Sequence, residues 1–446
     1  MRPLLYIAAA LLAAHSASAN PLTVDRRVLD NGLVVILHED HNTPLVAVNT
    51  WYKVGSRDED PGRTGFAHLF EHFMFEGSQH VPQGQYDANT NGRGGVNNAT
   101  TSFDRTNYYA VVPAEDLEEA LRLESDRMGF LRGAINPAAL VKQQRIVVNE
   151  LRERQNQPYG SAFEELCALV WPAGHGYGWT PGGAIPHVQA AAADEARVFH
   201  ERFYNPNNAI LAISGDHDTE TTFRMVEKWF GGLPRGMDAP RPPLRSPERL
   251  GGRREKTVTD PRAQLPLLLL AFPVPPAGQP GSVEISAAAS ILGGGPTSRL
   301  ASSLQRRRRV ALSVSASLMG LHARDVLMIE AVPVPGVTLA ELETAITGEI
   351  ASMVAGGVQP RELSRVKAGL ATARLRALEE LQGFAESLAE GEAARGDPLS
   401  FDADIAALDA MAEDGPREAV RRWLTPDNLA VLRVEPAPAP AAGGPR

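Results

Sequence analysis

The chain has 446 residues, 43% of them hydrophobic, and a formal net charge of −9. Its length exceeds one ordinary domain and its apolar content supports substantial cores, so two or more domains are expected. The acidic balance argues against a nucleic-acid partner, and the single cysteine, Cys167, excludes an internal disulfide and reads as a small buried residue.

Residues 1–19 read as a signal peptide. Arg2 supplies the positive charge, residues 4–14 a short apolar stretch, and Ala17-Ser18-Ala19 a cleavage site, so a mature chain is expected to start near Asn20. The apolar stretch is too short to span a bilayer, and no later one is long enough. Export to the periplasm or beyond, without a membrane span, is the expectation.

Strand patterns follow over residues 22–54. The run 33–37 comes after the turn signal Asp30-Asn31-Gly32, and 45–52 is β-branched and aromatic. A polar loop, 55–63, leads into Gly65-Phe66-Ala67-His68-Leu69-Phe70-Glu71-His72-Phe73-Met74-Phe75-Glu76-Gly77. On a helix, His68 and His72 share a face, and Glu71 lies beside it. Two imidazoles can then hold one metal ion while the glutamate works on a water bound to it, the pattern H-x-x-E-H of a zinc peptidase. The alternative is an amphipathic helix with two half-buried histidines. The surrounding phenylalanines argue against it, because they bury the segment, and burying two His and a Glu without a metal or partners is costly. Gly77 offers a helix stop.

Beyond a Gly/Asn-rich stretch at 89–98, residues 100–102 and 107–112 have strand composition, and 115–131 and 138–154 read as helices. Glu150 follows three apolar residues, Ile146, Val147 and Val148, closely enough to project near the core side. It is the candidate third ligand, with a surface carboxylate as the alternative. Glu76 is a poor competitor, lying about 12 Å along the axis from His68.

Residues 194–216 run helix, aromatic, Pro-x-Asn, apolar strand, and so do residues 416–434. Pro206 and Pro426 are 220 residues apart. This reads as an internal duplication into halves of about 200 residues each. The division expected is 20–230, a Pro/Gly/Arg-rich linker at 231–252, 253–435, and a disordered tail at 436–446. In the second half a strand at 265–272 precedes a helix at 283–292, which sits where the histidine helix sits in the first half but carries Ala and Ser. That half therefore has no metal motif. The run Arg306 to Arg309 reads as a solvated helix face.

With these motifs the chain resembles the pitrilysin family of zinc peptidases, which includes insulin-degrading enzymes and mitochondrial processing peptidases. The resemblance rests on residues 65–72, on Asn98-Ala99-Thr100-Thr101-Ser102-Phe103-Asp104-Arg105-Thr106-Asn107-Tyr108, on Asn149-Glu150, on Tyr204-Asn205-Pro206-Asn207-Asn208-Ala209, and on the two-half layout. It implies an α+β fold, two homologous α/β sandwich halves forming a clamshell around a chamber. It implies one zinc ion per chain held by His68, His72 and Glu150, with Glu71 as general base. Peptide substrates would add as a strand beside Asn98 and Ala99. Arg299, in Gly293-Gly294-Gly295-Pro296-Thr297-Ser298-Arg299-Leu300, matches an arginine that donates to the oxyanion. The matching tyrosine position holds Leu312, which cannot donate, and Gln143 stands where many members carry a glutamate. The Leu312 departure points to a zinc-bearing subunit that pairs with a related chain carrying the Arg/Tyr pair, or to a homodimer. A non-catalytic scaffold of the same family is the alternative.

Overall fold

The computed structural model describes residues 22–239, 244 and 246–438. The signal-peptide reading, part of the linker and the end of the tail lie outside the described residues.

The first half is built on a six-stranded sheet. Its strands are β1 (Asp25–Val28), β2 (Val34–Glu39), β3 (Leu45–Tyr52), β4 (Val96–Thr101), β5 (Thr106–Pro113) and β6 (Ala209–Gly215), in the order β1-β2-β6-β3-β5-β4. Its helices are α1 (Phe66–Phe73), α2 (Gln85–Gly92), α3 (Leu117–Phe130), α4 (Pro137–Gln155), α5 (Ala162–Val170), α6 (Ile185–Ala190), α7 (Ala193–Phe203) and α8 (Thr219–Phe230). The second half has β7 (Arg254–Asp260), β8 (Leu267–Val274), β9 (Ala311–Met319), β10 (Asp325–Pro333) and β11 (Ala430–Pro436), in the order β7-β11-β8-β10-β9. Its helices are α9 (Ser282–Gly293), α10 (Leu339–Gly356), α11 (Pro360–Glu379), α12 (Leu381–Arg395), α13 (Ser400–Ala410) and α14 (Gly415–Trp423).

With β1 set aside, the two strand orders are the same permutation, including one parallel pair in each, β2 with β6 and β7 with β11. The duplication extends to single hydrogen bonds. Asn208 Nδ2 donates to the carbonyls of Phe203 at 2.8 Å and Lys53 at 3.4 Å, and Asn428 Nδ2 donates to those of Trp423 at 2.8 Å and Pro273 at 2.9 Å. Each asparagine is buried where a 3-10 turn begun by proline enters the central strand. An unpaired amide there would carry the full desolvation penalty, so the residue type is prescribed by the turn.

Alternate residues of the strands feed different cores, as the period of two requires. Leu268, Leu270, Phe272 and Val274 face the helices of their own half. Leu267, Leu269 and Ala271 face the other way, onto Leu166, Cys167 and Val170 of α5, a helix of the first half. Reciprocally, Ile36, Ala47, Trp51, Ile210 and Ala212 face Phe384, Ala385, Leu388 and Ala389 of α12, a helix of the second half. Each sheet is thus buried on both faces, one side by the other half's helix. This is why β6 and β8 read as unbroken apolar runs. Cys167 lies inside this seam, and burial pushes its thiol up to about 12, which removes it from thiolate chemistry.

Three sequence expectations shift. The histidine helix ends at Phe73, before Gly77, which takes a left-handed backbone at φ 102° in the turn that follows. The Gly/Asn-rich stretch is not all loop: α2 occupies part of it, with N-cap Gly84. The basic run lies at the end of a π-helix over Ala301–Arg307, where Arg306 to Arg309 are exposed.

Candidate metal centre

Helix α1 is short, and its Phe66, Ala67, Leu69, Phe70 and Phe73 are buried, while His68, Glu71 and His72 look outward, half-buried. Its start is fixed twice. Gly65 sits in the left-handed region at φ 97°, where a Cβ would also meet Val188 Cγ2 at 2.6 Å. The buried carboxylate of Glu59 accepts from the amides of Gly65 and Ala67, both at 2.9 Å, and from Trp179 Nε1 at 3.0 Å. A carboxylate at a helix N-terminus satisfies amides that have no partner within the helix. Burial pushes the Glu59 carboxyl up to about 8, against the pull of those three donors.

Helix α4 packs across α1 and brings Glu150 to the two histidines. His68 Nε2 lies 3.6 Å and His72 Nε2 3.4 Å from the same oxygen, Glu150 Oε2. These separations are too long for good N–H···O hydrogen bonds. They match the edges of a tetrahedron, about 3.4 Å, that ligands at zinc distances of about 2.0–2.1 Å would span. Burial holds the His68 imidazole down to about 4, with His72 and Arg154 adding to the effect. The ring is therefore neutral near pH 7, the form that binds a metal. The residues fit a zinc ion, and among the described residues no other group of three or more metal-ligating side chains comes this close together.

Glu71 Oε2 accepts from the Thr101 hydroxyl at 2.5 Å. Burial raises the Glu71 carboxyl above its ordinary value, while the Thr101 hydrogen bond works the other way. Glu71 is thus a half-buried carboxylate one residue from a candidate ligand, with one oxygen fixed.

Thr101 belongs to β4, the edge strand of the first sheet. Ala99 and Asn98 lie on that strand. The Ala99 amide points away from β5 and is taken by Asn98 Oδ1 at 2.8 Å. A peptide strand pairing on this edge would displace that side-chain cap.

The structure does not bring Arg299 to this group. Its guanidinium is committed to Glu362 in a two-pronged pair at 2.9 and 2.6 Å, and to the carbonyl of Gly357 at 2.7 Å, all in the second half. These bonds engage Nε and Nη2 of the arginine expected at the oxyanion and hold it against its own half. Leu312 lies on edge strand β9 with its side chain 49% exposed. Gln143 is buried on α4, two turns before Glu150.

Sequence reasoning gave no role to Thr101 or Glu59. For Glu59 a signal existed, an acidic residue shortly before a glycine-started apolar helix. Thr101 had none, because its partner is 30 residues away and their contact depends on sheet register.

Two family profiles match the chain. The profile described as Insulinase (Peptidase family M16) matches residues 34–175, and that described as Peptidase M16 inactive domain matches residues 191–370. Zinc protease PqqE of Helicobacter pylori is 30% identical over 344 residues, 76% of this chain and 76% of that one. The crystal structure of a protease from Helicobacter pylori superposes with a TM-score of 0.88 at 26% identity, covering 93% of this chain and 99% of that one. A structure titled peptidase M16 inactive domain, from Pseudomonas fluorescens, shares the fold at 18% identity and a TM-score of 0.83, covering 94% and 99%.

Proposed function

Because this chain belongs to the insulinase family, peptidase family M16, we propose that it is a zinc-dependent endopeptidase hydrolysing peptides or unfolded segments. The observation that carries the reading is the convergence of His68 Nε2, His72 Nε2 and Glu150 Oε2 beside a half-buried glutamate. The names of the relatives, zinc proteases, support it.

His68, His72 and Glu150 would hold the zinc ion, which when bound supplies Lewis acidity toward a carbonyl and an acidified water. Glu71 Oε2 is engaged by Thr101. Oε1 is therefore the oxygen left to accept the water proton and return it to the leaving amine. The outer edge of β4 offers main-chain pairing at Ala99, which orders an extended peptide with little side-chain selectivity. Such binding favours unfolded segments over folded proteins.

The oxyanion donors belong to a second chain in this reading. Arg299 is paired with Glu362 and Leu312 has no donor, so the chain acts as the zinc-bearing subunit of a pair, with a related partner that supplies the donors. The same two observations favour a second reading, a non-catalytic family scaffold. We place the protein outside the cytoplasm on the strength of residues 1–19. Among the described residues no helix is long and apolar enough to cross a membrane.

The test is hydrolysis of a quenched peptide library by the chain from Asn20, with zinc measured on the same sample and Glu71→Gln as control. Equimolar zinc with cleavage lost in the control supports the peptidase. Zinc without cleavage, unrelieved by any co-purifying chain, would favour the scaffold. Full activity in a lone monomer would sink the partner requirement.

A further inference from the structure

A cavity of about 560 Å³ lies in the second half, walled by the loop after β8, the turn between β9 and β10, and helices α12 and α13. It meets a second compartment of about 270 Å³. The two differ in chemistry. The larger is lined by His322, Asp325, Glu390, Arg395 and Asp404. The smaller is walled by Leu318, Leu370, Ile405 and Leu408.

Asp325 lines both compartments and is only 5% exposed. One of its oxygens accepts from the Leu321 amide at 2.8 Å. Among the described residues it forms no ion pair, whereas Asp404 nearby is held by both prongs of Arg395 at 2.8 and 2.6 Å. A carboxylate buried in this way without a cation is costly. Burial pushes it up to about 7, with Asp104 and Glu390 adding and Arg324 opposing. An anionic ligand is disfavoured, because the Arg395 fork is filled and carboxylates surround it. A bare metal ion is disfavoured too, since these carboxylates do not converge closely enough to hold one.

We propose that this paired cavity is a binding site for an amphipathic cation, whose ammonium or guanidinium head pairs with Asp325 and whose short apolar body fills the Leu318/Leu370/Leu408 compartment. The chemistry could come from the basic residue of a peptide beside an apolar neighbour, or from a free aliphatic amine. The site is separate from the metal centre, and the proposal stands whether or not the chain is a peptidase.

The experiment is calorimetric titration of the full chain, in a Glu71→Gln background so that cleavage does not contribute. Three probes are used: acetyl-Leu-Arg-amide, hexylamine, and acetyl-Leu-citrulline-amide as the uncharged control. Saturable binding of a cationic probe is expected, weakened at least about 10-fold by Asp325→Asn, the loss of one charge-assisted contact. Binding of the dipeptide alone would identify a peptide source, of hexylamine alone a free amine, and of both a head-and-tail site open to either. Should Asp325→Asn fail to fold, Ser286→Trp, which fills the apolar compartment from its wall, decides in its place. The proposal is overturned if no cationic probe binds, if the citrulline probe binds as tightly as its arginine counterpart, or if binding is unchanged in the variant that folds.

Discussion

The Thr101 hydroxyl donates to Glu71 Oε2 at 2.5 Å, tying the edge strand on which a peptide would pair to the side chain that would take a proton. Thr101→Val keeps the strand and removes only the donor. A hydrogen bond to a charged group is worth about 1.5–3 kcal/mol, so kcat/KM should fall roughly 10-fold or more with zinc content unchanged. Equal loss of zinc and activity would mean that Thr101 serves the fold instead.

Removing a ligand should act on the metal itself. His72→Ala or Glu150→Ala should leave the purified chain nearly free of zinc while the far-ultraviolet circular dichroism stays native, because α1 is held mainly by its buried phenylalanines. Zinc at wild-type stoichiometry in either variant would exclude that residue as a ligand.

Glu59→Gln tests the anchor of the metal helix. The amide NH2 would face N–H donors from Gly65, Ala67 or Trp179 where the carboxylate now accepts. One or more buried donors left unsatisfied cost about 1–3 kcal/mol each. A lower Tm and weaker zinc affinity, read by competition with a chelating dye, are both expected. A lower Tm with unaltered zinc affinity would confine Glu59 to stability.

Arg299→Ala separates structure from chemistry. Breaking its pair with Glu362 should lower Tm, and kcat/KM at the chain's own zinc should be unaffected at temperatures where the variant is folded. A drop of about 100-fold or more under those conditions would return Arg299 to the oxyanion, since that is the scale of losing one such donor.

Stability should also depend on pH through Asp325. Its folded pKa, about 7, lies above its ordinary value of 3.8 because of burial, with Asp104 and Glu390 adding to the shift and Arg324 opposing it. A raised folded pKa gives stability that is complete below the ordinary value and is lost as pH rises through the folded one. The difference between Asp325→Asn and wild type should therefore widen in favour of the variant from pH 4 toward pH 7, by at most about 1.4 kcal/mol per pH unit. Parallel denaturation curves across that range would refute it.

The sequence carried much of this molecule. His68 and His72 are legible because a helix of known period places them together, and Asn208 and Asn428 because a turn repeats 220 residues apart. What could not be read depends on contacts between distant segments. The α12 helix is amphipathic, and nothing in its own residues says which sheet it covers. Arg299 shows the converse: a motif names a residue type, and only the fold reveals that Glu362 already holds it.

The exchange of α5 and α12 across the seam bears on ancestry. Shifted by the 220 residues that separate Pro206 from Pro426, α5 falls within α12. The two arms are counterparts, each lent to the other body. A single-half ancestor would have left one face of its sheet bare, and a two-fold dimer swapping this helix would have covered both. The present chain has the layout that joining such a dimer end to end would give, with the candidate ligands in the first copy. Severing the polypeptide between residues 231 and 252 should give fragments that are insoluble apart and regain the native circular dichroism when co-expressed. Fragments that fold separately would show that neither half needs the other's helix to cover its sheet.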